Sequence, residues 1–413
     1  MKYIIVHADG LTDLPPEERG GKTPLQSAAT PYMDRLANVG ELGLVTVPGD
    51  ASAGGDVMAL ALLGYDPRKM YVGPAPFEAA GLGIAVGEHD VVYRCNMVTL
   101  ANSAATKGSP TDIKKFGPSV IMEDDAAEGI EDEQARELIE AVNEQLGSET
   151  IQFYPGKHPR HLMVWVGGKA RAVCADPQDL IGKPVADSLP AGDGSDILRK
   201  LMEASLLILG PHPINDERRE AGLKPVNCLW LWGQGRAPQL VSPIAERDMT
   251  GAIISTSDVH RGIGICAGLE AVDIEESAAA GGMSFQSRGE AALKELGKKD
   301  LVYLHAHVSE EIADGDVKSK VKAIEEFDEK ILGTVLGGLS KAPPFRVLLV
   351  CEATRPRKRT SSGLGPVQAL YVLADGPIQP NAKPERFSEA MTQVLQAAPR
   401  DATKLINRLI PRV

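Results

Sequence analysis

Apolar residues fall along this chain in two alternating rhythms. Short runs rich in aliphatic residues, the pattern of strands covered on both faces, occur at Tyr3–His7, Gly43–Pro48, Val91–Thr99, Leu162–Val166 and Asn227–Trp232. Others follow at Gly251–Thr256, Leu301–His307, Arg346–Cys351 and Ala369–Leu373. Between several of them, apolar positions recur three and four residues apart, the period of a helix with one buried face. Met33, Leu36 and Ala37 mark a helix over Pro31–Glu41, and Leu138, Ile139, Val142 and Leu146 mark one over Glu131–Leu146. A long amphipathic helix is predicted over Val317–Leu339, with its charges on the outer face. The Gly- and Pro-containing stretch Gly182–Asp196 reads as a loop. Strands alternating with helices over most of the length predict an α/β protein.

Composition narrows the picture. At 413 residues and 43% hydrophobic content the chain has material for two domains, or one large domain with an insertion. A Pro- and charge-rich segment, Pro211–Pro225, separates two α/β blocks, and no internal repeat is visible. Basic residues number 44 against 56 acidic ones, a net charge of −12. That balance, without a basic block, argues against nucleic acid or an anionic membrane as partner. It is compatible with a small anionic ligand held by a few local arginines. The opening apolar run ends at His7 and Asp9, too short for a signal peptide. No run approaches the ~18 apolar residues of a membrane span. Five scattered cysteines, Cys95, Cys174, Cys228, Cys266 and Cys351, read as reduced, core-filling thiols, which together with the other signals predicts a cytoplasmic protein.

The run Ala53-Gly54-Gly55-Asp56, an apolar helix, then Leu63-Gly64-Tyr65-Asp66-Pro67 is the most informative segment. It resembles the nucleophile segment of the archaeal-type cofactor-independent phosphoglycerate mutases, which reads Pro-Gly-Ser-Asp before the same helix and Leu-Gly-Tyr-Asp-Pro. The likeness continues in order through Gly20–Leu25, Ala29–Ala37, Pro76–Ala80, Tyr93–Asn96, Phe153–Gly156 with Arg160–Leu162, His212–Asn215, Gly262–Leu269 and Lys320–Glu325. The resemblance implies an alkaline-phosphatase-like α/β core with a mixed, largely parallel sheet, made from 1–82 and 223–413. A smaller inserted α+β domain of substrate type would span 83–222. It implies a glycolytic metalloenzyme, an isomerase that uses two divalent cations (manganese, zinc or magnesium) and a phosphoserine to interconvert 2- and 3-phosphoglycerate. Two cations neutralise phosphoryl oxygens and lower the hydroxyl's pKa.

Where the resemblance places the serine, this chain has Gly55, which has no side-chain oxygen to attack or carry a phosphoryl group. Ser52, the nearest hydroxyl, lies about 10 Å away along an extended chain. Implied metal positions fall on Asp9, on Glu310 (an aspartate in the family) and on Glu352 followed by Ala353, where the family has Asp-His. The family's ligand histidines have no counterpart at 310–316, 353 or 361–366. On the substrate side, the resemblance implies Arg94, Arg160, Arg218 and Arg261 as phosphate or carboxylate contacts, while Pro74 replaces one family arginine and Ala126–Gly129 lacks another basic residue. The loop Arg355–Arg359 adds four cations near the former metal positions; a solvated basic loop is the plainer reading, and a site for a phosphate or carboxylate is the alternative. His305 and His307 alternate on one strand and face one side. The resemblance gives His305 a non-ligand counterpart, so core or second-shell packing is expected. His158, His161 and His260 are candidate proton carriers at physiological pH.

These substitutions concentrate at the chemistry while the scaffold motifs persist, so the favoured expectation is a pseudoenzyme. The mutase fold would then serve binding, assembly or regulation, with a small phosphorylated or carboxylated metabolite or a protein as partner. Two alternatives stay open: an active mutase with altered ligands, and a different phosphotransfer or hydrolytic enzyme on the same site. Divalent metal and no metal are both consistent with the residues.

Overall fold

The computed structural model describes residues 1–12, 22–48, 55–103, 113–127, 130–157, 159–274, 284–308, 317–340, 344–353, 368–378, 386–391 and 398–411. The chain divides into two compact units, one formed by 1–71 with the residues from 239 onward, the other by Val72–Pro238. In chain order the first unit contributes strands β1 (Lys2–Thr12) and β2 (Glu41–Thr46). The second unit supplies β3 (Val91–Asn102), β4 (Val120–Asp124), β5 (Ile151–Tyr154), β6 (Arg160–Trp165) and β7 (Cys228–Gly235). The chain then returns to the first unit with β8 (Gly251–Ile254), β9 (Glu270–Ala271), β10 (Leu301–His307), β11 (Phe345–Ala353), β12 (Gln368–Asp375) and β13 (Arg400–Asp401).

The first unit is an eight-stranded sheet in the order β13-β2-β12-β11-β1-β10-β8-β9. Only β12 runs antiparallel to the rest. Side chains alternate between the faces of a strand, and here the alternation sorts core from chemistry. Ile4, Val6 and Ala8 of β1, Leu304 and Ala306 of β10, and Val347, Leu349 and Cys351 of β11 belong to one apolar core with Met33, Leu36, Phe285, Ile324 and Phe327 from the helices. The intervening positions, His7 and Asp9, Tyr303, His305 and His307, and Glu352, therefore share the opposite face. Parallel pairing of β1 with β10 sets His7 beside His305 and Asp9 beside His307.

The second unit is an antiparallel five-stranded sheet centred on the long β3, which pairs with β4, β6 and β7. Tyr93, Cys95 and Met97 face a core built with Leu138 and Val142 of the helix Asp132–Leu146 and Met202 and Leu206 of the helix Ser195–Leu209. On the other face, Val92, Leu162 and Val164 pack with Ala75 and Ala79. This is why the structure divides at 72 and 238, outside the expected 83 and 222: the helix Pro74–Gly81 packs on this sheet and β7 is one of its strands. Where the unit begins and ends, two glycines let backbones touch. A Cβ on Gly73, whose φ is +99°, would lie 2.5 Å from the Gln234 carbonyl oxygen, and one on Gly235 would overlap the Val72 carbonyl.

Elsewhere the predicted elements appear with shifted ends, and one differs in kind. The segment 317–339 is an α-helix over Val317–Phe327, a π-helical stretch over Asp328–Gly333 and an α-helix over Thr334–Leu339. Its charges are not all outside: Lys320 and Asp328 are buried. Asp328 accepts backbone hydrogens from Tyr32 (3.0 Å) and Met33 (2.8 Å), groups at the start of the helix Pro31–Val39 that no intrahelical bond satisfies. The reading of Gly182–Asp196 as a loop meets a 3₁₀ turn at Ala186–Ser188, and the helix from Ser195 begins at its end. All five cysteines are free thiols, three of them buried. Among the described residues no helix is long and apolar enough to cross a membrane.

The buried cap gives a stability prediction. Asp328→Ala leaves two inward amides without an acceptor and is expected to cost about 1–3 kcal/mol in urea unfolding. Asp328→Asn keeps one acceptor oxygen and is expected to cost less.

Candidate functional site

The polar face of the first unit's sheet gathers at the C-terminal ends of β1 and β10, the usual place for ligands in parallel α/β sheets. Gly55 opens the buried helix Gly55–Leu62 beside it. A Cβ built on Gly55 would lie 2.8 Å from Asp9 Oδ2 and 3.5 Å from Glu352 Oε1, so the position implied for the serine does face both implied carboxylates. The next residue, Asp56, is buried and accepts a hydrogen bond from the Tyr71 hydroxyl.

Around these carboxylates stand four imidazoles. His7 Nε2 lies 2.5 Å from Glu352 Oε1, and its Nδ1 lies 2.8 Å from the Tyr303 hydroxyl. Burial holds His7 down at about 4, so the ring is neutral, with Nε2–H donating to Glu352. Burial also pushes the Tyr303 phenol well up, which keeps its O–H available to donate to Nδ1. His307 Nε2 lies 3.5 Å from Asp9 Oδ2. Burial, followed by the Glu352 charge, raises the Asp9 carboxyl above its ordinary value. His260, from the helix Asp258–Cys266, and His305 stack with ring centroids 3.6 Å apart and planes within 10°. Ser257 Oγ holds His260 Nδ1 and Ser255 Oγ holds His305 Nδ1, each at 3.0 Å. Burial lowers His260 to about 4 and His305 well below its ordinary value. The expectation that His260 titrates at physiological pH is corrected: the ring is neutral there because it is buried.

The metal set implied by the resemblance is only partly brought together. Asp9 and Glu352 are neighbours of one another through Gly55, while Glu310, Ser52, His158 and the basic loop Arg355–Arg359 lie outside the described residues. A pair of hard cations serving a phosphoserine needs about five or six oxygen and nitrogen donors, the nucleophile's oxygen among them. Gly55 contributes none, and Asp9 and Glu352 are each paired with an imidazole. Of the implied set, the described residues supply Asp9 and Glu352, and Gly55 supplies no oxygen for a two-cation centre.

The four arginines have distinct surroundings. Arg94 donates to Glu78 at 2.6 Å and lies over the Trp232 ring at 5.1 Å. Arg218 is buried, with Nε on the Lys224 carbonyl at 2.9 Å. Arg261 donates to the Val272 carbonyl at 3.0 Å and to Asp273 at 2.5 Å. Arg160 is exposed at the start of β6. His161 beside it is buried, and burial holds it down at about 3. It accepts the Gly156 amide hydrogen on Nδ1 at 3.0 Å, so it is no proton carrier near neutrality either.

A parallel α/β unit joined to an antiparallel unit, with a polar cluster at its strand ends, places this chain with structures of the phosphoglycerate mutase fold. The Thermoplasma acidophilum cofactor-independent phosphoglycerate mutase superposes with a TM-score of 0.57 at 22% identity, over 99% of each chain. A Pyrococcus horikoshii protein superposes with a TM-score of 0.72 at 21% identity, over 99% of this chain and 96% of that one. Residues 37–215 match the family described as 2,3-bisphosphoglycerate-independent phosphoglycerate mutase. The probable mutase of that name from Geobacter sulfurreducens is 37% identical over 414 residues, all of both chains. The Methanothrix thermoacetophila mutase is 39% identical over 370 residues, 89% of each chain. The chain belongs to the 2,3-bisphosphoglycerate-independent phosphoglycerate mutase family, and its core is alkaline-phosphatase-like.

The neutral, buried His161 gives a pH prediction. Its folded pKa, about 3, is below the unfolded value of 6.5, so the unfolded chain binds the extra proton in between. Stability is then full above 6.5 and falls as pH drops towards 3, by roughly 1.4 kcal/mol per pH unit from this group. Urea midpoints measured from pH 7 to 4 should show a shallower fall for His161→Gln than for wild type.

Proposed function

We propose that this chain uses the family scaffold without the phosphoserine reaction, binding a small phosphorylated or carboxylated metabolite and not interconverting 2- and 3-phosphoglycerate. One observation carries the reading. Position 55 has no side chain, and the space a Cβ would need there is closed by the Asp9 carboxylate at 2.8 Å. No hydroxyl stands there, and the end of the Asp9 side chain lies close to where the Cβ would be. The mutase names belong to the relatives; they speak for descent, and without a nucleophile the covalent route is gone. We retain Arg160 as the proposed anion contact, because it is the exposed one of the four implied arginines.

A second reading has its own support. The histidines around Asp9 are ordered by dedicated hydroxyls, Tyr303, Ser255 and Ser257. Such order suits a site kept for different chemistry on a related small molecule better than one left to decay.

The test is a coupled assay of 3- and 2-phosphoglycerate interconversion with added manganese and a chelated control. Turnover is expected to stay at background, far below the ~10 s⁻¹ of an ordinary enzyme. Gly55→Ser is expected to leave the coupled assay at background, because the hydroxyl alone does not rebuild the two-cation centre. Metal-dependent turnover by the wild-type protein at ordinary rates would overturn the proposal.

A further inference from the structure

His7, His260 and His305 reach one place from three parts of the chain: the middle of β1, the helix after β8, and β10. Their relative exposures are 0%, 6% and 0%. Each offers a ring nitrogen, and these donor atoms lie within 4.8 Å of one another. Hydroxyls occupy Nδ1 of every ring, from Tyr303, Ser257 and Ser255. What remains on each is Nε2. On His7 it faces Glu352; on His260 and His305 it is buried and has no hydrogen-bond partner among the described residues.

Core packing is the plainer account of buried histidines, and here it leaves a cost. A packed imidazole normally satisfies both nitrogens, and a buried polar atom without a partner costs about 1–3 kcal/mol. Two such atoms stand on rings stacked face to face, in a cluster already holding His7 and Glu352. Protonation does not resolve it, because burial keeps these rings neutral. A neutral imidazole with an oriented Nδ1–H and a bare Nε2 is the form that ligates metal, and a hydroxyl or carbonyl on the other nitrogen is its common support.

We infer that His7, His260 and His305, through Nε2, together with Glu352 form a site for one borderline divalent transition-metal ion, such as zinc. The donor set is nitrogen-rich, which suits zinc, cobalt or iron(II) and does not suit magnesium. It shares only Glu352 with the set implied by the resemblance, and it includes His305, whose family counterpart is not a ligand. A tetrahedral ion with ligand bonds of about 2.1 Å needs donors about 3.4 Å apart. The rings must therefore draw in by up to about 1.4 Å, and the parallel His260–His305 pair must tilt so that both lone pairs converge. At His7 the ring proton moves from Nε2 to Nδ1, with the Tyr303 hydroxyl turned to accept it, so Nε2 is freed for the ion and no proton is released to solvent.

The test uses the full chain, stripped by chelator and titrated with cobalt(II), whose visible absorption reports four-coordination. One equivalent is expected to bind, giving the spectrum of a four-coordinate site, and to be displaced by zinc but not by magnesium. His260→Gln and His305→Gln are each expected to weaken binding by more than about tenfold, and Ser255→Ala, a positioning change, by about tenfold or more. Circular dichroism checks that each variant is folded. Wild-type protein that takes up no cobalt or zinc would overturn the inference whatever the variants do. So would binding that survives both histidine changes, or that is lost only in Asp9→Asn, which would place the ion at the carboxylates. The readout is metal content and spectrum, so it is decided separately from the mutase assay.

Discussion

The parallel pairing of β1 with β10 is the constraint on which the rest of the site depends. It aligns His7 with His305 and Asp9 with His307, and β11 lies parallel on the other side of β1, bringing Glu352. Because side chains alternate strictly, a slip of one residue in any of these strands would send its polar group into the apolar core and an aliphatic group into the site. The core residues Val6, Leu304 and Leu349 therefore fix the chemistry as firmly as they fix the fold. Burial then sets the charge state: it holds His7 and His260 neutral and raises the Asp9 carboxyl beside them.

Much of the scaffold was legible in the sequence. Aliphatic runs located β10 to the residue and most other strands to within a few, since doubly covered strands are nearly continuous in composition. The Val317–Leu339 pattern gave the right length but not the π-helical stretch, because a charged residue on a helical wheel reads as solvent-facing. Asp328 turns inward only because the next helix start supplies two amides, a fact of tertiary structure. The division of the chain at 72 and 238 was not visible for a similar reason: nothing local in Pro74–Gly81 or Cys228–Gly235 states which sheet it joins.

In the sequence the candidate site was read as a set of expected departures from the family it resembles, at Gly55, Glu352 and Ala353. The histidines that fill the same face were harder to see, because His7 meets Tyr303 across 296 positions and only pairing brings them together. One signal was available: a histidine in the middle of an aliphatic strand, two residues before Asp9, at the spacing that shares a face.

The glycines at the seam of the second unit carry a consequence of their own. With Gly73 against Gln234 and Gly235 against Val72, the incoming and outgoing chain touch backbone to backbone. The two ends of the second unit therefore lie side by side, however long the polypeptide between them. The entropy of closing so large a loop is met inside the insert, by its own sheet. The chain between these two contacts can thus change in length without parting its ends.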